Sequence, residues 1–399
     1  MKVNVRRFSW LFLMSLAASL IAMPAMADST GTLPKGTNSV NLSYFVDSVD
    51  REFDDSGSDR ELGYYLNNQD VTDIANEYIS SLAGLSTNWV RSTVTTLNAD
   101  VDIEGAIFAY EYGITDNLSI AVGFPYFTKA RTSLDFGLNV VPGATAYGVP
   151  SPDPTYSNLA EFLIGERKNL ANDFITSYGY DEIEGWSGDP GIGDVRLGAK
   201  YRYLDTEMIK SAAGLWVDFP TGEPQDEKDI ADIGYGTGAY QTAAFAMVDF
   251  VPIEQIALNM TGRYVWKFPY HRAVFILDKD NPTFYEAEFA TRREFGDYDL
   301  GDEYQLESEL FLKPMEGVQL FTYYFYRQTE SNKIDDIVIP KSIEIESRWG
   351  YGITASSVEA YLDDRAQAPM QFTFLVEPVV EGKNIEKTKR MTFSMRVFF

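Results

Sequence analysis

Residues 390–399 read R-M-T-F-S-M-R-V-F-F. In an extended strand successive side chains point to opposite faces. Met391, Phe393, Met395, Val397 and Phe399 therefore share one face, while Arg390, Thr392, Ser394 and Arg396 share the other. Such a strand fits either the buried last strand of a soluble domain or a strand with lipid on one face and water on the other. The rest of the chain decides between them.

At the opposite end, Met1 to Ala27 has the form of a secretory leader. Lys2, Arg6 and Arg7 precede an apolar run from Phe8 to Met23, and Ala25-Met26-Ala27 forms an A-x-A cleavage site before Asp28. The expected folding unit is residues 28–399. It contains no run of eighteen apolar residues, so it holds no transmembrane helix. A chain of this kind can cross a membrane only as a closed barrel, because lipid leaves every backbone N–H and C=O to be satisfied internally. The mean hydropathy of -0.20 is compatible with that, since barrel strands are apolar on one side only. Twenty-five Tyr and twenty-six Phe suit two interfacial girdles. With no cysteine, disulfides and thiol chemistry are excluded. A net charge of -26 speaks against nucleic acid as a partner.

Alternation recurs along the chain. Val40, Leu42, Tyr44 and Val46 mark a first strand, followed by the polar stretch R-E-F-D-D-S-G-S-D-R, which reads as a solvated loop. Residues near Asn67 to Leu82 have helical spacing. A second strand runs through Leu97 to Ile107 with Asp100, Asp102 and Glu104 on its polar face, and the turn Asp116-Asn117 leads to a third strand from Leu118 to Tyr126. A long loop with helical pieces near Ser157 to Ser177 follows. Further strands carry Val195 to Tyr203, Leu215 to Phe219, Tyr240 to Phe250, Ile256 to Phe268, Tyr304 to Leu312, Val318 to Gln328, Trp349 to Ile353 and Phe372 to Val376, with a second long loop over Pro269 to Leu300. With the closing strand the count is twelve. Short connections alternate with long ones, and an even count puts both termini at the short-turn end. This is the organisation of an antiparallel transmembrane β-barrel of the bacterial outer membrane. In such barrels the terminal aromatic, here Phe399, serves as the signal to the barrel-assembly machinery.

Three stretches carry a more specific resemblance: Y-G-I-T-D-N-L-S-I-A-V-G-F-P-Y at Tyr112–Tyr126, G-I-G-D-V-R-L-G-A-K-Y-R at Gly191–Arg202, and F-P-T-G at Phe219–Gly222. In this order they resemble the outer-membrane proteins named for the meta-cleavage pathway of phenol degradation, related in style to fatty-acid and aromatic-hydrocarbon transporters. The resemblance implies a barrel and the passage of small, often apolar molecules, with no cofactor.

The polar faces supply the candidate lumen lining. Carboxylates stand in rows at Asp100, Asp102 and Glu104 and at Glu303, Glu307 and Glu309. Arg196, Lys200, Arg202, Arg263, Lys267, Arg390 and Arg396 carry the opposite sign. Paired across a narrow lumen these rows would brace the wall; left unpaired they would select solutes by charge. Within Tyr323-Tyr324-Phe325-Tyr326, two aromatics must join Phe321 on the inner face, either as an apolar solute path or as packing. His271 is the sole histidine, with no identifiable serine partner, so a barrel lipase is the weakest reading and no catalytic residue is assigned. No His/Cys cluster suggests a metal, and the acidic loop Glu223–Asp232 lacks the spacing of a calcium loop. It reads as a solvated charge run or a partner for cation-bridged lipopolysaccharide. The expected function is passive movement of small molecules; the alternative is a surface barrel whose loops serve adhesion or structure. The expected partners are outer-membrane lipid, lipopolysaccharide, the assembly machinery and a small solute.

Overall fold

The computed structural model describes residues 30–62, 90–142, 186–226, 229, 232–275, 293–339 and 342–399. Among these, twelve strands form one closed antiparallel ring: β1 Asn38–Val49, β2 Val90–Thr115, β3 Leu118–Pro142, β4 Val195–Asp205, β5 Ile209–Phe219, β6 Gln241–Ile253, β7 Ile256–Lys267, β8 Glu303–Met315, β9 Val318–Thr329, β10 Ile345–Ser356, β11 Met370–Lys383 and β12 Lys389–Phe398. Each strand pairs with its neighbours in sequence, and β12 returns to β1. That last pairing runs from Ser39↔Phe398 to Ser48↔Lys389 and leaves the main sheet no open edge. At its foot Asn38 and Phe399 exchange backbone hydrogen bonds of 2.7 and 3.0 Å.

The alternation in sequence becomes an alternation of surroundings. Val40, Tyr44, Tyr201, Leu215, Met260, Leu306, Trp349, Phe374 and Phe393 point outward and are exposed, whereas Ser39, Ser43, Asp47, Arg196, Asn259, Arg327 and Arg390 point inward and are buried. Large apolar side chains outside and polar ones inside invert the soluble-protein pattern, and are the arrangement of a membrane barrel. Among the described residues no helix is long and apolar enough to cross a membrane; the sheet is the crossing structure.

The sequence pattern underestimates the ordered structure at the long-loop end. β2 and β3 run to 26 and 25 residues, far past their neighbours. The stretch read as a solvated loop after β1 is a hairpin, Arg51–Phe53 with Asp59–Glu61, to which Ile385–Glu386 adds a third strand. Phe53 packs there with Val379 and Ile385, so a minority of apolar residues in an acidic segment suffices for a local core. The loop over 269–300 likewise contains strands Tyr270–Phe275 and Arg293–Asp299, which join two short strands from 333–338 in a four-stranded sheet. Tyr298, Ile334 and Ile339 form its small core. The leader and the helical spacings near 67–82 and 157–177 lie outside the described residues. The helix that is described, α1 Val358–Leu362, sits in the turn between β10 and β11.

Candidate functional site

Strand register decides which charges meet inside. Lys267 on β7 lies 3.0 Å from Glu303 on β8. Arg327 on β9 faces Glu303 at 3.9 Å, Glu344 at 3.4 Å and Glu346 at 2.9 Å. Arg348, beside Glu346 on β10, reaches Glu377 on β11 at 3.5 Å. Arg390 on β12 joins that carboxylate at 3.8 Å and Asp47 on β1 at 2.8 Å. A chain of alternating charge thus crosses seven consecutive strands. Its members are nearly excluded from solvent, so each depends on its neighbours for compensation. Nearer the short-turn end Arg263 binds Glu307 at 2.7 Å and Gln305 at 3.2 Å, and Arg396 binds Glu111 and Ser39.

The other inner arc is mainly apolar and aromatic. Ala212, Trp216, Ala243, Phe245, Met247 and Val265 cluster on β5 to β7. Phe45 of β1 meets Phe127 of β3 edge-on with 6.0 Å between centroids, and Phe127 stacks on Tyr235 at 4.8 Å. On β4 and β5, Arg196 forms a two-pronged pair with Asp218, at 2.7 and 2.8 Å, while its guanidinium lies 3.7 Å from the centre of the Trp216 ring. In the Tyr323–Tyr326 run, register puts Tyr323 and Phe325 inside with Phe321, and Tyr324 and Tyr326 outside. Tyr323 lies over Gly350, where a Cβ would come within 1.9 Å of the ring, and donates its hydroxyl to Glu377 at 2.7 Å. A ring can lie against the wall there only because position 350 has no side chain.

The candidate lining residues separate by face. Arg196, Lys200, Arg202, Arg263, Lys267, Glu303, Glu307, Glu309, Arg390 and Arg396 lie on the inner face, Arg202 at the short-turn end beside Asp205 and the carbonyl of Asp116. Asp100, Asp102 and Glu104 do not. Glu104 pairs in register with outward Val46, and it accepts from the Tyr44 hydroxyl at 2.7 Å and from Lys129 at 3.1 Å. The inner face of that stretch is Ala99, Val101 and Ile103, all buried. The assignment is corrected because β2 here rises beyond the band of outward apolar residues: its outer face, with Asp100 and Asp102, is exposed, and its apolar inner face is buried. The sequence reading also missed Asp47, Glu111, Arg327, Glu346, Arg348 and Glu377. Their signal was parity within the strand, as in Ser39-Asn41-Ser43-Phe45-Asp47.

The three motif stretches converge at the long-loop mouth. Asp194, fully buried at the end of G-I-G-D, accepts from the amide of Gly222 in F-P-T-G at 3.0 Å, from the amide of Thr237 at 2.9 Å and from its hydroxyl at 3.0 Å. Thr221 donates to the Gly193 carbonyl at 3.0 Å and accepts from the Val195 amide at 2.9 Å. The Gly193 amide donates to Pro125, in the first motif, at 2.9 Å. Tyr235 lies on Gly191 and donates its hydroxyl to the Asp189 carbonyl at 2.7 Å. The node pins residues 221–222 and 235–237 to the mouth, with the Tyr235 ring over Phe127. Burial raises the Asp194 carboxyl above its ordinary range against the pull of its hydrogen bonds, and pushes the Tyr235 hydroxyl up to about 12.

No known protein-family profile and no curated protein sequence matches the chain. Solved structures do. An outer membrane channel from Pseudomonas putida F1 superposes with a TM-score of 0.55 at 12% identity, covering 93% of this chain and 98% of that one. The monoaromatic hydrocarbon channel CymD gives 0.35 at 9% identity, covering 100% and 93%, and the toluene transporter TbuX of Ralstonia pickettii 0.36 at 7%, covering 92% and 90%. At 12% identity the likeness to the Pseudomonas putida channel shows the fold alone, a barrel of the outer-membrane kind, in keeping with the twelve-stranded ring described above.

Proposed function

We propose that this protein is an outer-membrane channel through which small molecules pass passively, with an apolar or aromatic portion of the solute running along the arc from β2 to β6. The observation that carries the reading is the division of the inner wall. Charges on β7 to β12 are neutralised by one another, so they present a braced, polar surface instead of a strongly selective field. The opposite arc and the neighbouring β1 carry Phe45, Phe127, Trp216 and Phe245, buried in the wall with Tyr235 over Phe127 and Arg196 over Trp216, and these are the apolar surface a greasy solute would meet on displacing that cover. The leader would be removed after Ala27, the short turns would face the periplasm, and Phe399 would guide assembly. Lipid would contact the outer face, and lipopolysaccharide the surface above it.

Planar-bilayer recordings and solute uptake in a deletion strain test the proposal. Stepwise conductance together with slower uptake of a small aromatic compound is expected. No conductance and unchanged uptake would remove the channel reading and leave the alternative, a surface barrel, for which the three-stranded and four-stranded sheets built by the long loops are the specific support. N-terminal sequencing of the membrane-extracted protein checks the leader, and Asp28 is the expected first residue.

A further inference from the structure

Strand register aligns the outward side chains in rows around the wall. Phe393, Tyr44, Ala106 and Tyr126 make one row across β12, β1, β2 and β3, aromatic at all but Ala106. One row nearer the long loops stand Met391, Val46, Glu104 and Lys129, and in the next Lys389, Ser48, Asp102 and Arg131. Within four residues of each strand the outer wall thus passes from aromatic to charged, which marks the edge of the lipid-facing band. Lys389, Ser48, Asp102 and Arg131 are all exposed.

The carboxylates of this patch are answered from within it. Lys129 lies 3.1 Å from Glu104 and 3.6 Å from Asp102, and Glu104 also accepts from the Tyr44 hydroxyl at 2.7 Å. Arg131 and Lys389 differ: among the described residues neither has an ion-pair partner. They stand three strand spacings apart, about 14 Å, with Lys129 one row below and beside Arg131. The rest of the rim has another character. At the long-loop end of β4 to β10 no described Lys or Arg points outward; Phe219, Trp266, Phe268, Tyr304 and Trp349 are the exposed residues there, while Arg196, Lys267, Arg327 and Arg348 are buried inside.

Cations fixed at the edge of the apolar band lie at the depth of lipid headgroups, where each gains from an anionic phosphate. The guanidinium of Arg131 adds a fork that can hold two phosphate oxygens. We propose that the outer wall of β12, β1, β2 and β3 is a docking site for one phosphorylated glycolipid of the outer leaflet. Its phosphates sit on Arg131, Lys129 and Lys389, and its acyl chains run down past Tyr126, Tyr44 and Phe393. The headgroup spans the seam where β12 meets β1 and clamps it from outside. The inference rests on the outer-membrane placement proposed above and not on the passage of any solute, and the site is separate from the acidic loop Glu223–Asp232.

The test uses the full barrel in detergent, with native mass spectrometry counting what it retains. The probes are lipid A, the phosphorylated anchor of lipopolysaccharide, the same lipid with its phosphates removed, and inorganic phosphate. A Lys129→Gln/Arg131→Gln/Lys389→Gln variant is compared with the native protein and with Lys313→Gln at the short-turn end, each checked for folding by heat-modifiable gel mobility. Retention of one lipid A by the native barrel is expected, with affinity lower by about tenfold or more in the triple variant and unchanged in Lys313→Gln. Equal retention by the triple variant, or equal retention of the dephosphorylated lipid, overturns the site and leaves the outer-membrane placement standing. Binding of inorganic phosphate with no preference for the lipid overturns it as a lipid site. Recovery of the native protein outside the outer-membrane fraction of cells overturns the placement and the site together.

Discussion

Arg390 donates through Nε to one oxygen of Asp47 at 3.0 Å and through Nη2 to the other at 2.8 Å, across the seam where the last strand meets the first. These residues are 343 positions apart in the chain, so the pair can form only when the ring is complete. Replacing Asp47 by Ala leaves a buried guanidinium facing the Glu377 carboxylate, 3.8 Å away. Loss of a buried partner of this kind costs about 3 kcal/mol. The expected result is a lower midpoint in urea for the heat-modifiable, folded band, with the slope of the transition unchanged. Parallel replacement of Arg390 and Asp47 by Met and Leu should recover much of the loss.

The Asp194 node makes a local prediction. In an Asp194→Ala variant the amides of Gly222 and Thr237 lose their acceptor, at about 1–3 kcal/mol for each donor left buried. Loss falls on the residues around Gly222 and Thr237, whose remaining ties are the Thr221 bonds and the Tyr235 contacts with Asp189 and Phe127. Hydrogen exchange across 222–237 should accelerate by an order of magnitude or more, while exchange in β7 to β12 stays as it was. Uniform acceleration throughout the barrel would assign Asp194 to global stability instead.

Glu344 lies in the connection before β10, buried beside Arg327, and the loss of water there raises its carboxyl to about 7 despite the neighbouring guanidinium. A raised carboxyl is a liability at high pH. Below the unfolded value near 4.5 both states hold the proton and nothing is lost. Between there and about 7 the folded state keeps a proton that the unfolded state releases. Stability therefore declines as pH rises through that window and levels off above it. The full effect is about 3 kcal/mol, at 1.36 kcal/mol for each unit of displacement. Glu344→Gln should flatten the dependence between pH 5 and 8, measured as the thermal midpoint of the folded band.

Phe399 separates assembly from stability. Its side chain is 66% exposed, and its backbone exchanges two bonds with Asn38. Deleting it should lower the stability of protein refolded in detergent by only about 1–2 kcal/mol, the worth of two exposed hydrogen bonds. In cells the same truncation should reduce the amount reaching the membrane several-fold. Normal membrane levels would remove Phe399 as the assembly signal.

How far the fold could be read from sequence depended on what each face of a strand touches. From Arg390 to Phe399 one face is apolar and outward and the other polar and inward, so polarity marks direction and the closing strand was legible to within a residue at each end. At Asp100, Asp102 and Glu104 the alternation was equally clear, but the strand has risen beyond the lipid-facing band and the acidic face looks outward. Counting parity from Phe108 and Tyr110 down the same strand would have placed them correctly. The hairpin at Arg51–Glu61 was hidden because one buried Phe53 and a partner strand 330 residues away decide its order. The individual ion pairs were not legible: that Asp47 meets Arg390, and not Arg396 on the same face, is a matter of register, which no local pattern contains.

The overlong strands β2 and β3 touch nearly everything described above. They rise past the end of β1, where Val49 faces Val101, for a further eleven residues, about 35 Å of strand before tilt is allowed for. Downward they continue without leaving the sheet to the turn at Asp116, where Lys35 and Thr32 are anchored. Mechanically the pair is a lever whose long arm rises beyond β1 and whose short arm holds the residues that lead into β1. A force applied at the outer end of this pair has a direct covalent and hydrogen-bonded route to the opposite end of the barrel.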